Sequence, residues 1–181
     1  MKSYLERHPF LQGIREVTEL FDSADVVDPK SIEASMSLRE FIHGALSYRP
    51  WIEVFLFKLR DLFAKLLGLP LSGVPERILL SADEIPMTPG EKLLFTVRSA
   101  EEDRYWIAGE VDVHLSVDVA IVAEPMTDTH SRFHVITFVR FHRPVGRFYF
   151  SIIEPFHHLL VRLSMRAAVA KERKPRERNK T

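Results

Sequence analysis

From Leu93 to Ile121 the chain repeats with a period of two. Tyr105 and Ile107, then Val111, Val113, Leu115, Val117, Val119 and Ile121, share one parity. Glu110, Asp112, His114, Ser116 and Asp118 share the other. Successive strand side chains point to opposite faces, so this spacing predicts a half-buried antiparallel sheet. Leu93, Phe95 and Val97 open the series, Glu101-Glu102-Asp103 supplies a polar turn, and Gly109 is expected at a further turn or bulge. Pro125-Met126-Thr127-Asp128 is the next turn expected. Phe133–Phe141 (FHVITFVRF) is apolar at both parities, which places that strand inside the sheet.

A sheet with an apolar face must be covered. Tyr149, Ile152, Ile153, Phe156, Leu159, Leu160 and Leu163 give a broad helical stripe over about 145–171. Pro155 lies inside it and predicts a kink, or a break into 146–153 and 155–171. Trp51, Val54, Phe55, Leu59, Leu62, Phe63 and Leu66 recur at helical spacing after Arg49-Pro50, with Gly68 as the stop. Leu56 and Phe57 widen that face, so the helix is expected to be largely covered. Upstream, Leu20–Val27 reads as a short strand, and Asp28-Pro29 as an N-cap followed by proline, opening a helix to about Leu46. LPLSGVP at 69–75 and IPMTPGE at 85–91 read as loops. The expected fold is α+β: a curved antiparallel sheet wrapped around a long C-terminal helix, with two shorter helices after the first strand. One domain is expected over 1–165.

Cysteine is absent, which excludes disulfides, a thiolate nucleophile and cysteine-ligated metals. With Lys plus Arg at 25 and Asp plus Glu at 25, the chain is formally neutral and is not expected to bind nucleic acid. Residues 166–181 carry seven basic and two acidic side chains and are expected to form a basic, disordered tail. No apolar run spans a membrane and no leader peptide is visible, so the expected location is the cytoplasm.

Three stretches carry a resemblance: PWIEVFLFKLRDLFAKLLGL (50–69), GEVDVHLSV (109–117) and GRFYFSIIEPFHHLLVR (146–162). In this order they resemble the bacterial family called domain of unknown function 2867, in the START and birch-pollen-allergen-like (helix-grip, SRPBCC) superfamily. The likeness covers about Phe21 to Arg162. Its residues here are Pro50, Trp51, Leu59, Arg60 and Asp61; Asp112, His114 and Leu115; and Gly146, Tyr149, Pro155, Phe156 and His157. Some members follow a reductase domain, but no GxGxxG is present to carry that activity over. The resemblance implies a helix-grip fold and leaves the activity open.

Nucleophile and phosphate motifs are missing: no GxSxG, P-loop, HExxH or CxxC occurs. Asp112 and His114, two residues apart on one expected strand face, suit acid–base chemistry on one ligand, or with Glu110 a metal, or simply a wet sheet face. His157 and His158 diverge by about 100° on a helix, so one is expected to face the sheet and the other to face outward. His130, His134 and His142 share parity with Arg132 and Arg140 and read as a solvent face or an anion patch. Arg60-Asp61 reads as an ordinary ion pair. The ligand-binding candidates are Trp51, Phe55, Phe95, Asp112, His114, Tyr149, Ile153, Phe156 and His157. The function expected is binding of a small, mainly hydrophobic molecule between the sheet and the last helix. The alternatives are a cyclase- or dehydratase-type enzyme using the Asp/His pair, and a non-catalytic interaction module, for example a homodimer. No metal and no cofactor are expected.

Overall fold

The computed structural model describes residues 2–48, 50–66 and 81–172. Three short helices, α1 (Lys2–Arg7), α2 (Pro9–Gln12) and α3 (Arg15–Ser23), precede strand β1 (Val26–Ala34). Helices α4 (Leu38–Ser47) and α5 (Trp51–Leu66) follow. Strands β2 (Thr96–Glu101), β3 (Tyr105–Val111), β4 (Leu115–Thr127) and β5 (His130–Phe141) then lead into helix α6 (Pro144–Glu172). The five strands form one antiparallel sheet in the order β1-β5-β4-β3-β2. This is the helix-grip arrangement expected: a curved sheet holding a long C-terminal helix. β5 lies between β1 and β4, as its two apolar parities require.

One sheet face carries Val97, Trp106, Ala108, Ile121, Ala123, Phe133 and Val135 and packs against α4 and α6. Phe41 stacks flat on Phe133 with ring centroids 4.3 Å apart, and Trp106 donates its indole N–H to the Pro86 carbonyl at 2.9 Å. The middle of the other face is covered too. Tyr105, Ile107, Ala120, Val122, Ile136 and Phe138 bury themselves under Leu11, Ile14, Val17 and Phe21 of the N-terminal segment. The sheet is therefore not one-sided there. His134, expected on a solvent face, is fully buried because these helices lie over it.

The first third of the chain departs from expectation. Leu20–Ser23 ends α3, and the strand begins at Val26. Residues 26–34 pair with β5 in place of a helix starting at Pro29. The reason is position: β1 is an edge strand, where a proline's missing N–H breaks no second ladder. The cap that starts α4 is Ser37, whose hydroxyl accepts the Glu40 N–H at 3.2 Å while the Glu40 carboxylate accepts the Ser37 N–H at 2.9 Å. Helix α5 starts as expected, yet Trp51 is 72% exposed and Leu62 is exposed, so it is only partly covered. The stop at Gly68 and the loop at 69–75 lie outside the described residues.

Three smaller corrections concern the sheet. Residues 112–114 interrupt the long period-two run and turn the chain from β3 into β4. Gly109 sits inside β3 opposite Asp118, where a Cβ would meet the Asp118 carboxylate; the open space lets Asp118 accept from Arg98 Nε at 2.9 Å. The register shifts instead between Val97 and Ser99 and between Pro125 and Thr127, and β4 runs to Thr127 before the turn at 128–129. Helix α6 is continuous through Pro155 and runs past Met165 to Glu172, with Ala168 buried against Gly44 of α4.

Candidate functional site

β1 directs Asp28 and Lys30 to the same sheet face as Thr137 and Val135 of β5, because cross-strand partners share a face: Asp28 pairs with Thr137 and Lys30 with Val135. That face is the one α6 crosses. Among its apolar residues stand an acid and a base, 13% and 9% exposed at their side chains, and in contact with each other. His158 of α6 closes the group: its Nδ1 lies 2.7 Å from Asp28 Oδ2 and 3.1 Å from Lys30 Nζ, and its Nε2 is 3.7 Å from Glu154 Oε1. The adjacent His157 is held neutral. Burial pushes its pKa down to about 4, Lys30 and His158 push the same way, and Asp28 opposes them. Among the described residues the buried Thr137 hydroxyl has no hydrogen-bond partner.

A file of aromatic rings joins α5 to α6. Phe156 of α6 meets Phe55 of α5 at 5.0 Å between ring centroids, and Phe55 meets Trp51 at 6.5 Å. Leu62 and Leu159 are exposed on the same two helices.

Of the residues singled out from sequence, Trp51, Phe55 and Phe156 come together on α5 and α6, while His157 lies near Asp28 and Lys30. Ile153 and Tyr149 lie half-buried on α6. Phe95 packs against the core cluster that includes Val97 and Trp106. Asp112 and His114 are not on a strand face. Asp112 Oδ1 accepts the Val113 N–H at 2.6 Å. The His114 carbonyl accepts the N–H groups of His142 and Arg143 at 2.9 and 3.2 Å, and both its ring nitrogens are buried without a partner. Glu110 faces Lys92 at 3.3 Å. Glu110, Asp112 and His114 form no metal-ligating group among the described residues. A groove of about 550 Å³ opens at the start of α6, between Phe141, Arg143, Arg147 and Phe148.

Sequence spacing does not single out Asp28, Lys30 and Thr137 as site residues, and marks His158 only as the diverging neighbour of His157. A signal exists: Asp28, Lys30 and Ile32 alternate with Pro29, Ser31 and Glu33 at strand spacing. Pro29 after Asp28 mimics a helix start and masks it.

A second polar group lies on the opposite face, under the N-terminal helices. His134 Nδ1 is 2.8 Å from the Tyr4 hydroxyl and its Nε2 is 2.9 Å from Glu124 Oε2. His8 Nδ1 is 4.0 Å from the same oxygen. Arg132 reaches Glu124 at 3.4 Å and Glu33 at 2.8 and 3.1 Å. Burial lowers the pKa of His134 and of His8, and raises that of Tyr4.

Among the described residues no helix is long and apolar enough to cross a membrane. A search of curated proteins finds no match. Among solved structures the chain is similar to a point mutant of Thalictrum flavum norcoclaurine synthase in complex with a transition-state analogue. The identity is 14% and the TM-score 0.43, over 81% of this chain and 92% of that one. The sequence model of the family described as "Protein of unknown function (DUF2867)" matches residues 20–164, and the chain belongs to that family.

Proposed function

We propose that this protein binds a small, mainly hydrophobic molecule between α5, α6 and the sheet, with a polar end held at Asp28, Lys30 and Thr137. The observation that carries this reading is the Asp28–Lys30 pair on the sheet face beneath α6, beside a buried hydroxyl with no partner. Charges at an apolar face cost free energy that a hydrophobic pair would not, so their retention points to use. The rings of Phe55 and Phe156 supply the apolar wall. Covering about 200 Å² of apolar ligand surface yields roughly 5 kcal/mol before ordering costs.

The test is a titration of purified protein with a naphthalene-sulfonate dye, with decanoate as competitor, alongside native mass spectrometry. Saturable one-to-one binding is expected, weakened about tenfold by Phe55→Ala and by Thr137→Val. Thr137→Val is close in shape and keeps a β-branched residue in the strand, so the fold is expected to survive it. No saturable binding, or equal affinity in both variants, overturns the reading.

A further inference from the structure

We propose that His8, Glu124 and His134 form a binding site for a divalent transition metal of the zinc class, on the sheet face opposite the aromatic file. Nothing in this inference depends on the ligand reading above. His8 comes from the bend between α1 and α2, Glu124 from β4 and His134 from β5, so three separate elements converge. One ligand atom from each lies within 4.8 Å of the other two. In a tetrahedral zinc site with bonds near 2.0–2.1 Å, donor atoms sit roughly 3.3–3.5 Å apart. The Glu124–His134 separation of 2.9 Å has to open slightly and the His8–Glu124 separation of 4.0 Å to close slightly. Both are adjustments of a few tenths of an ångström, and His8 and Glu124 keep 18% and 16% of their side chains exposed.

The surroundings suit a metal. Two imidazoles and one carboxylate match zinc, cobalt(II) or iron(II), and do not match calcium or magnesium, which take oxygen ligands. Three protein ligands leave the fourth position for water. Ligating histidines are oriented by a hydrogen bond from their other ring nitrogen, and Tyr4 stands 2.8 Å from His134 Nδ1. Neutral His134 carries one ring proton; metal ligation through Nε2 takes the tautomer that holds this proton on Nδ1, from where the N–H donates to the Tyr4 oxygen. Arg132 does not block the exchange, because its shorter contacts are to Glu33. The metal would tie α1 and α2, helices of six and four residues, to the sheet. Helices this short do not persist alone.

The experiment uses tag-free full-length protein, stripped with chelator and titrated with cobalt(II) alone, then zinc(II). The expected result is one equivalent of cobalt with an intense visible band of tetrahedral type, displaced by zinc, and a melting temperature that rises with zinc. Tyr4→Phe should weaken binding about tenfold. His8→Ala and Glu124→Gln should each abolish the band while leaving metal-free melting near that of the wild type. His134 is fully buried and its variants report on folding as well, so these two variants decide the matter. Absence of the band in the wild type, or its persistence in both variants, overturns the proposal.

Discussion

His157 shows how one residue's surroundings set a property of the whole chain. Its imidazole titrates near 4 in the folded protein because burial disfavours the cation, reinforced by Lys30 and His158 and opposed by Asp28. In the unfolded chain it titrates near 6.5. Between those values the unfolded state binds the extra proton, so stability falls as pH drops from about 6.5 to about 4. The contribution is on the order of 2–3 kcal/mol. His8 and His134, also lowered by burial, act in the same direction. Urea midpoints across this window should fall with acid, and His157→Gln should flatten the slope; an unchanged slope refutes the assignment. The Asp28–Lys30 pair is open to a second test at this scale. Asp28→Ala leaves the ammonium nearly buried and unpaired, and should cost about 3 kcal/mol in urea unfolding. The double variant Asp28→Leu with Lys30→Met should recover most of that loss. Recovery of stability together with loss of dye binding would separate the pair's role in binding from any role in folding.

Between elements, α4 and α6 approach backbone to backbone at Gly44. A Cβ at Gly44 would lie 2.8 Å from the Ala168 Cα, which is backbone and cannot turn aside. Gly44→Ala must therefore push the helices apart, at about 1–3 kcal/mol. The measurement is a thermal melt, with an unchanged midpoint counting against this packing. The small residue at 44 and the one at 168 explain why α6 can settle on α4 as well as on the sheet. They also explain why the helix extends past Met165: Ala168 is 2% exposed and belongs to the core. A strongly basic end was visible in the sequence, but the last buried turn before it was not. Ala168 is small and apolar without being distinctive, and only its partner makes it core.

At the scale of the molecule, the sheet lies between two layers of helix. Residues 2–23 cover Tyr105, Ile107, Val122, Ile136 and Phe138. Removing residues 1–24 should leave that face bare and give an aggregating chain, read by light scattering and solubility. A monomeric truncated protein with the parent's melting temperature would show this layer to be dispensable. The run of antiparallel strands, the interior position of β5 and the long last helix were legible from periodicity alone. The N-terminal layer was not: α1 and α2 are too short to show a period, and α3 spans little more than two turns.

The sequence alone determined the period of each major segment, because alternation and helical stripes are local consequences of backbone geometry. It thereby set the α+β class and the interior position of β5. Tertiary structure decided which polar residues meet. Asp28 and His158 stand 130 positions apart, as do Tyr4 and His134. Their pairing depends on strand register and on the layer packed above each face, and no local pattern encodes either. The same physics moved Asp112 and His114 off a strand face: a tight turn between β3 and β4 needs residues from a run whose parity otherwise reads as unbroken strand.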